Sequence, residues 1–198
     1  MAPVEATAYE RSARRGRGLA HWLVLATLLV ASIETTAAQT TPSPEYQVKA
    51  VFLYHFTEFV TWPRSAFPEA QAPLVIGVLG DDPFGAYLDE TVRGEMVNGH
   101  PLVVRRYDRV EQVEGCQILF VSPSEAGRLG RILSRTSDRP LLTVGDTDDF
   151  ARDGGIIQFV TVRGKIRLRI NVDAARSAGL TISSKLLGLA DIVTTSRS

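Results

Sequence analysis

The chain has 198 residues, and its 22 basic and 22 acidic side chains balance to zero, with a pI near 6.8. That balance excludes a general attraction to nucleic acid or anionic lipid. A single cysteine, Cys116, excludes any intramolecular disulfide.

Residues 1–38 read as a cleaved export signal. Arg11, Arg14, Arg15 and Arg17 form a basic region, Leu19 to Ile33 an apolar run, and Thr36-Ala37-Ala38 a small-residue cleavage position. The apolar run is shorter than the roughly 20 residues of a membrane span, although an uncleaved anchor is the alternative reading. This order of features points to export. Residues 39–44 are a flexible lead-in, residues 45–193 a single domain and residues 194–198 a tail.

The stretch Glu45 to Pro63, EYQVKAVFLYHFTEFVTWP, predicts the first helix. Val48, Phe52, Phe56, Phe59 and Val60 recur at helical steps and predict one broad apolar face, with Gln47, Glu58 and Thr61 opposite. Trp62 precedes Pro63, which disfavours α backbone before it, so the helix is expected to end there. Trp62 itself is either a core ring or a partner anchor. Pro63 to Pro73 reads as a loop.

Leu74 to Leu79, LVIGVL, is a continuous apolar run, the pattern of a strand buried on both faces. Gly80 to Pro83 breaks it and opens a helix through Thr91, with Asp82 as its cap and Pro83 at its first position. Asn98-Gly99 is a turn, and Leu102 to Tyr107 and Cys116 to Val121 are strands. Ser122 caps a helix from Pro123 to Ser134. Leu141 to Val144 is a fourth strand, and Thr147 to Arg152 a short helix stopped by Gly154-Gly155. Strands alternating with helices are the signature of parallel βαβ units.

The pattern then changes. Ile156 to Val162 and Lys165 to Val172 flank Arg163-Gly164, which predicts a tight hairpin. Ile166, Leu168, Ile170 and Val172 share one face, and Lys165, Arg167, Arg169 and Asn171 share the other. A solvated face places the hairpin at a sheet edge. Asp173 to Ser177 is a helical turn, and Ser183 or Ser184 caps a last helix that packs Leu186, Leu187, Leu189, Ala190 and Val193. The expected fold is therefore α/β: a mostly parallel sheet flanked by helices, with a C-terminal antiparallel hairpin strand pair at the edge.

No Gly-x-Ser-x-Gly, Walker loop or complete Gly-x-Gly-x-x-Gly occurs, so no enzyme class can be assigned. After the signal only His55 and His100 remain, without a second cysteine, which argues against zinc. Asp146, Asp148, Asp149 and Asp153 resemble a calcium loop, but Phe150 and Ala151 stand where an oxygen ligand and a glycine are required. No metal or cofactor is expected. Cys116 lies in an apolar run, CQILFV, and reads as a buried thiol, an intermolecular disulfide being the rival. Asp81 and Asp82, with Phe84, follow the first strand at the carboxyl edge, where open α/β sheets bind ligands; they would read a cation or an amine, or else cap the helix. Arg167 and Arg169 form a stripe suited to an anion or an acidic partner, or else a solvated strand face.

The ordered set of segments resembles a known family. Lys49-Ala50-Val51-Phe52-Leu53-Tyr54 through Phe56, Phe59 and Trp62-Pro63 looks like its N-terminal helix. Ile76-Gly77-Val78-Leu79-Gly80 with Asp82-Pro83-Phe84 matches its first strand and turn. Ile166 to Asn171, Ala174, Ala175, Gly179 to Leu187 and Leu189-Ala190 match its C-terminal part. This is similar to the YfiR family of exported bacterial proteins. The resemblance implies a periplasmic, non-enzymatic α/β regulator able to form a homodimer. Its namesake inhibits an inner-membrane diguanylate cyclase, YfiN, and is sequestered by an outer-membrane lipoprotein, YfiB, so that cyclic di-GMP and biofilm formation rise. Redox control through an intramolecular disulfide does not carry over to a chain with one cysteine. Two functions compete: an inhibitory module for a membrane receptor, and a periplasmic small-molecule sensor with its ligand near Asp81, Asp82 and Phe84.

Overall fold

The computed structural model describes residues 42–195; the expected export signal lies outside the described residues. In chain order the elements are α1 (Pro44–Phe59), β1 (Val60–Thr61), β2 (Leu74–Leu79), α2 (Ala86–Val92), β3 (Met96–Val97), β4 (His100–Tyr107), β5 (Ile118–Val121), α3 (Leu129–Thr136), β6 (Leu142–Gly145), β7 (Ile157–Val162), β8 (Lys165–Asn171), α4 (Val172–Ser177), β9 (Thr181–Ile182), α5 (Ser184–Leu187) and β10 (Ala190–Val193). Short 3-10 turns cover Arg64–Ala66, Val110–Gln112 and Pro123–Arg128.

An eight-stranded sheet runs β10-β8-β7-β6-β5-β2-β4-β3, and β1 pairs separately with β9. β4, β2, β5, β6 and β7 are mutually parallel, β7 and β8 form the antiparallel hairpin, and β3 closes the far edge against β4. The mixed α/β architecture with a mostly parallel sheet is therefore the one expected. All six residues of β2 are buried, because alternate side chains feed two separate cores. Ile76 and Val78 point into a core shared with Leu53 and Phe56 of α1, Leu88 of α2 and Leu186 of α5. Val75 and Leu79 point into a second core with Ile132 and Leu133 of α3 and with Phe150. Gly77 lies in β2 for want of room: a Cβ there would stand 2.7 Å from the Tyr107 ring and 2.8 Å from the Cys116 sulfur.

Several boundaries differ from expectation, each for a readable reason. α1 stops at Phe59, since Val60 and Thr61 are β-branched and pair with Ile182 and Thr181. Its buried side is also rotated. Lys49, Ala50, Leu53, Phe56 and Thr57 are buried, whereas Val48 is 47% exposed. The helix after β2 begins at Ala86, because the Asp82 carboxylate accepts the Phe84 N–H at 2.8 Å in a local turn that precedes it. Thr147 to Arg152 forms turns without a helix. The last helix ends at Leu187, and the β-branched run beyond it becomes β10, which adds in parallel to β8 and takes the sheet edge. Arg163-Gly164 does form the hairpin turn, both residues having positive φ (51° and 73°).

Trp62 is half-buried and its indole N–H donates to the Gln117 carbonyl at 3.1 Å. Gln117 is itself buried; its side chain accepts from Val75 N–H and donates to the Ala66 carbonyl. Cys116 is buried beneath Gly77, and burial pushes its thiol pKa up to about 12.

Two outcomes follow. Phe56→Ala should lower unfolding stability by about 3–5 kcal/mol, whereas Val48→Ala should change it by less than about 0.5 kcal/mol. Chemical denaturation of both variants checks which side of α1 packs. Alkylation of Cys116 by iodoacetamide at pH 8 should be negligible in native protein and rapid in denaturant, because only the unfolded chain offers an accessible thiol near its ordinary pKa. Peptide mass spectrometry over time reads that difference.

Candidate functional site

A charged cluster lies where α1 crosses the carboxyl end of β6. α1 places Glu45, Tyr46 and Lys49 on consecutive turns, and the chain leaving Gly145 delivers Asp146 beneath them. The Lys49 ammonium stands 2.6 Å from Asp146 Oδ2 and 2.7 Å from Glu45 Oε1. The Tyr46 hydroxyl donates to the same Asp146 Oδ2 at 3.0 Å. Thr161 of β7 donates to Glu45 Oε1 at 3.0 Å, tying the hairpin to the cluster. The side chains of Lys49 and Asp146 are only 3% and 6% exposed, while Glu45 is open to solvent at 42%.

The electrostatics follow from that geometry. The hydrogen bond from Lys49 is the largest cause holding the Glu45 carboxyl below its usual range; partial burial opposes it, and Thr161 adds to it. Burial, reinforced by the Asp146 charge and hydrogen bond, pushes the Tyr46 phenol well above its usual range, so it remains a donor. Lys49 also sits over the Tyr46 ring, 4.4 Å from its centroid. Two carboxylates thus compensate one buried ammonium, and this arrangement suits a clamp better than a nucleophile. Asp146 Oδ1 remains buried with no partner, leaving one acceptor for a further donor at this spot.

A second polar cluster surrounds Arg106 at the end of β4. Its guanidinium donates to Asp82 Oδ2 at 2.7 Å, to both Asp89 oxygens at 2.5 and 3.1 Å, and to the Gly85 carbonyl at 2.9 Å. The Asp89 hydrogen bond is the main cause raising its pKa further. Asp82 is thereby engaged twice, by Arg106 and by the Phe84 N–H. Asp81 is exposed, and its backbone N–H donates to Ser124 Oγ at 3.0 Å. Phe84 is fully buried, edge-on to Phe120 at 4.8 Å and to Tyr46 at 5.5 Å. Its ring supports the site from inside the core.

Arg167 is exposed and Arg169 half-buried on β8. Three strands, β7, β6 and β5, separate β8 from β2. At about 4.8 Å per strand that is on the order of 19 Å, so the acidic pair and the arginine stripe do not form one site. Sequence reasoning weighed Asp146 only within a calcium loop and did not pair it with Lys49. The signal was present: Tyr46, Lys49, Leu53 and Phe56 fall at helical spacing, which puts a lysine inside an apolar stripe.

Lys49→Met should destabilise the fold by about 3–5 kcal/mol, because the Asp146 carboxylate would stay buried without its cation. Lys49→Met combined with Asp146→Leu should recover most of that loss. Urea denaturation across the double-mutant cycle measures the coupling.

Among solved structures, one titled as the ABC domain in complex with L-Trp from Streptococcus pneumonia is similar at 12% identity and a TM-score of 0.47. The match covers 75% of this chain and 60% of that one. No curated protein matches. The profile of the YfiR/HmsC-like family matches residues 46–191, which takes in the structure from the third residue of α1 into β10. The protein belongs to the YfiR/HmsC-like family.

Proposed function

We propose that this protein is an exported, non-enzymatic regulator that binds the periplasmic part of an inner-membrane signalling protein and holds it inactive. A diguanylate cyclase is the receptor that the family's example suggests, so binding lowers cyclic di-GMP. The observation that carries this reading is the span of the family match, residues 46–191. Among the described residues, no helix is long and apolar enough to cross a membrane. The buried charges are also consumed within the fold, Lys49 by Asp146 and Glu125 by Arg128, which suits a binding scaffold.

An inhibitor of this kind works by preferring one receptor state. Moving a receptor from 99:1 active to 1:99 requires a preference of about 10⁴-fold, or roughly 5.5 kcal/mol. The receptor contact is assigned in this proposal to the β8 stripe. There Lys165 and Arg167 are exposed and Arg169 is half-buried, giving a basic strip for an acidic partner surface. Asp81, exposed just after β2, would contribute to a separate contact. A YfiB-like lipoprotein that occupied the same strip would release the receptor, and a second copy of the chain is the remaining partner.

Capture from solubilised membranes should retrieve a receptor, and deletion of the gene should raise cyclic di-GMP. The double variant Arg167→Glu/Arg169→Glu should lose capture while melting within a few degrees of wild type. Failure to capture any receptor, with unchanged cyclic di-GMP on deletion, would remove this function. Capture unaffected by the double variant would instead move the contact elsewhere.

A further inference from the structure

The amino-terminal edge of the sheet, opposite the charged cluster, carries a cleft of about 290 Å³ where β2 and β4 begin. Ligand sites run from roughly 300 to 1,000 Å³, and a cavity of about 150 Å³ accepts benzene. One planar ring or a fused pair with a short polar arm fits this volume, and a nucleotide does not.

The walls are largely fixed in advance. Trp62, Phe67 and His100 supply three aromatic surfaces. The Trp62 indole is anchored on the Gln117 carbonyl at 3.1 Å. Phe67 stacks on His100 with centroids 4.0 Å apart and planes 14° apart. The His100 ring is held in turn by its Nδ1, 2.6 Å from the Ala72 carbonyl, so Nδ1 is the protonated nitrogen there. Arg64 opens the short turn beside Pro63 and lines the same cleft. No carboxylate lines it, and among the described residues Arg64 makes no ion pair. Asn98, at the tip of the β3–β4 turn, adds a carboxamide to the rim.

We infer that this cleft binds a small aromatic monocarboxylate, with its ring against Trp62 and the Phe67–His100 stack and its carboxylate on the Arg64 guanidinium. The aromatic walls select a planar ring. The lone guanidinium selects an anion and can pair with a carboxylate bidentately. An ammonium group would lose water in the cleft and meet no acid, so amines and free amino acids are selected against. This site is distinct from the proposed receptor contact on β8, and it can be tested without a receptor.

Calorimetric titration of the purified protein with phenylacetate and indole-3-acetate, alongside benzylamine and L-phenylalanine, tests the assignment. Saturable binding of the two acids is expected, with the amine and the amino acid at least about tenfold weaker. Arg64→Ala should weaken phenylacetate by at least about tenfold without changing the melting temperature, and Arg64→Lys should restore part of the affinity. Absence of saturable binding by either acid, equal binding of benzylamine, or affinity unchanged in Arg64→Ala would each overturn the proposal. Loss or retention of receptor capture bears on the other reading and leaves this one untouched.

Discussion

The rotation of α1 about its own axis is the constraint on which much of this structure depends, and a buried ion pair sets it. Apolar side chains occur nearly all round this helix, so hydrophobic burial alone would accept more than one orientation. Lys49 removes that freedom. Only with Lys49 facing inward can its ammonium reach Asp146 at the end of β6. With the helix so turned, Phe56 stacks on Phe159, Phe52 leans on the same ring, and Tyr46 seals the outer side of Phe84. A buried pair of this sort adds little net stability compared with an apolar substitute, but it penalises every orientation that leaves one charge alone.

The parallel α/β class was legible because LVIGVL and the later apolar runs have no polar face, and only a sheet covered on both sides buries such strands. The hairpin was legible because Arg163-Gly164 separates two strands and the second alternates cleanly. The orientation of α1 was harder to read. Val48 and Val51 share the exposed side with His55 and Glu58, and their hydrophobicity mimics a core stripe. β10 was hidden for a related reason: Leu186, Leu187, Ala190 and Val193 fit a helical period, and only the pairing with β8 decides for a strand.

At the site, the sequence drew attention to Asp81 and Asp82 because paired acids after a strand are conspicuous. Their surroundings are set by Arg106, which lies 24 residues after Asp82 and has no local signature. The same holds for Lys49 and Asp146, which are 97 residues apart. Residues that meet only through the fold leave a faint mark on a single sequence. The mark left by Lys49 was a polar residue inside an apolar period. The family match covers both clusters apart from Glu45, without saying which of them matters for binding.

The separation between Lys49 and Asp146 also has a consequence for how the chain reaches this state. A polypeptide made from its amino terminus presents α1 before the other described elements, while β6 and β7, which deliver Asp146 and Phe159, arrive about a hundred residues later. Long-range closure of this kind slows folding and leaves apolar surface uncovered in the interval. During that wait Phe52 and Phe56 lack the Phe159 ring, and Lys49 has only Glu45 one turn away, an i,i+4 pair that supports the helix by a few tenths of a kcal/mol. Part of its aromatic face therefore stays uncovered until those later strands form. Arrival of β6 and β7 ends that interval by supplying the buried counter-charge and the Phe159 ring together.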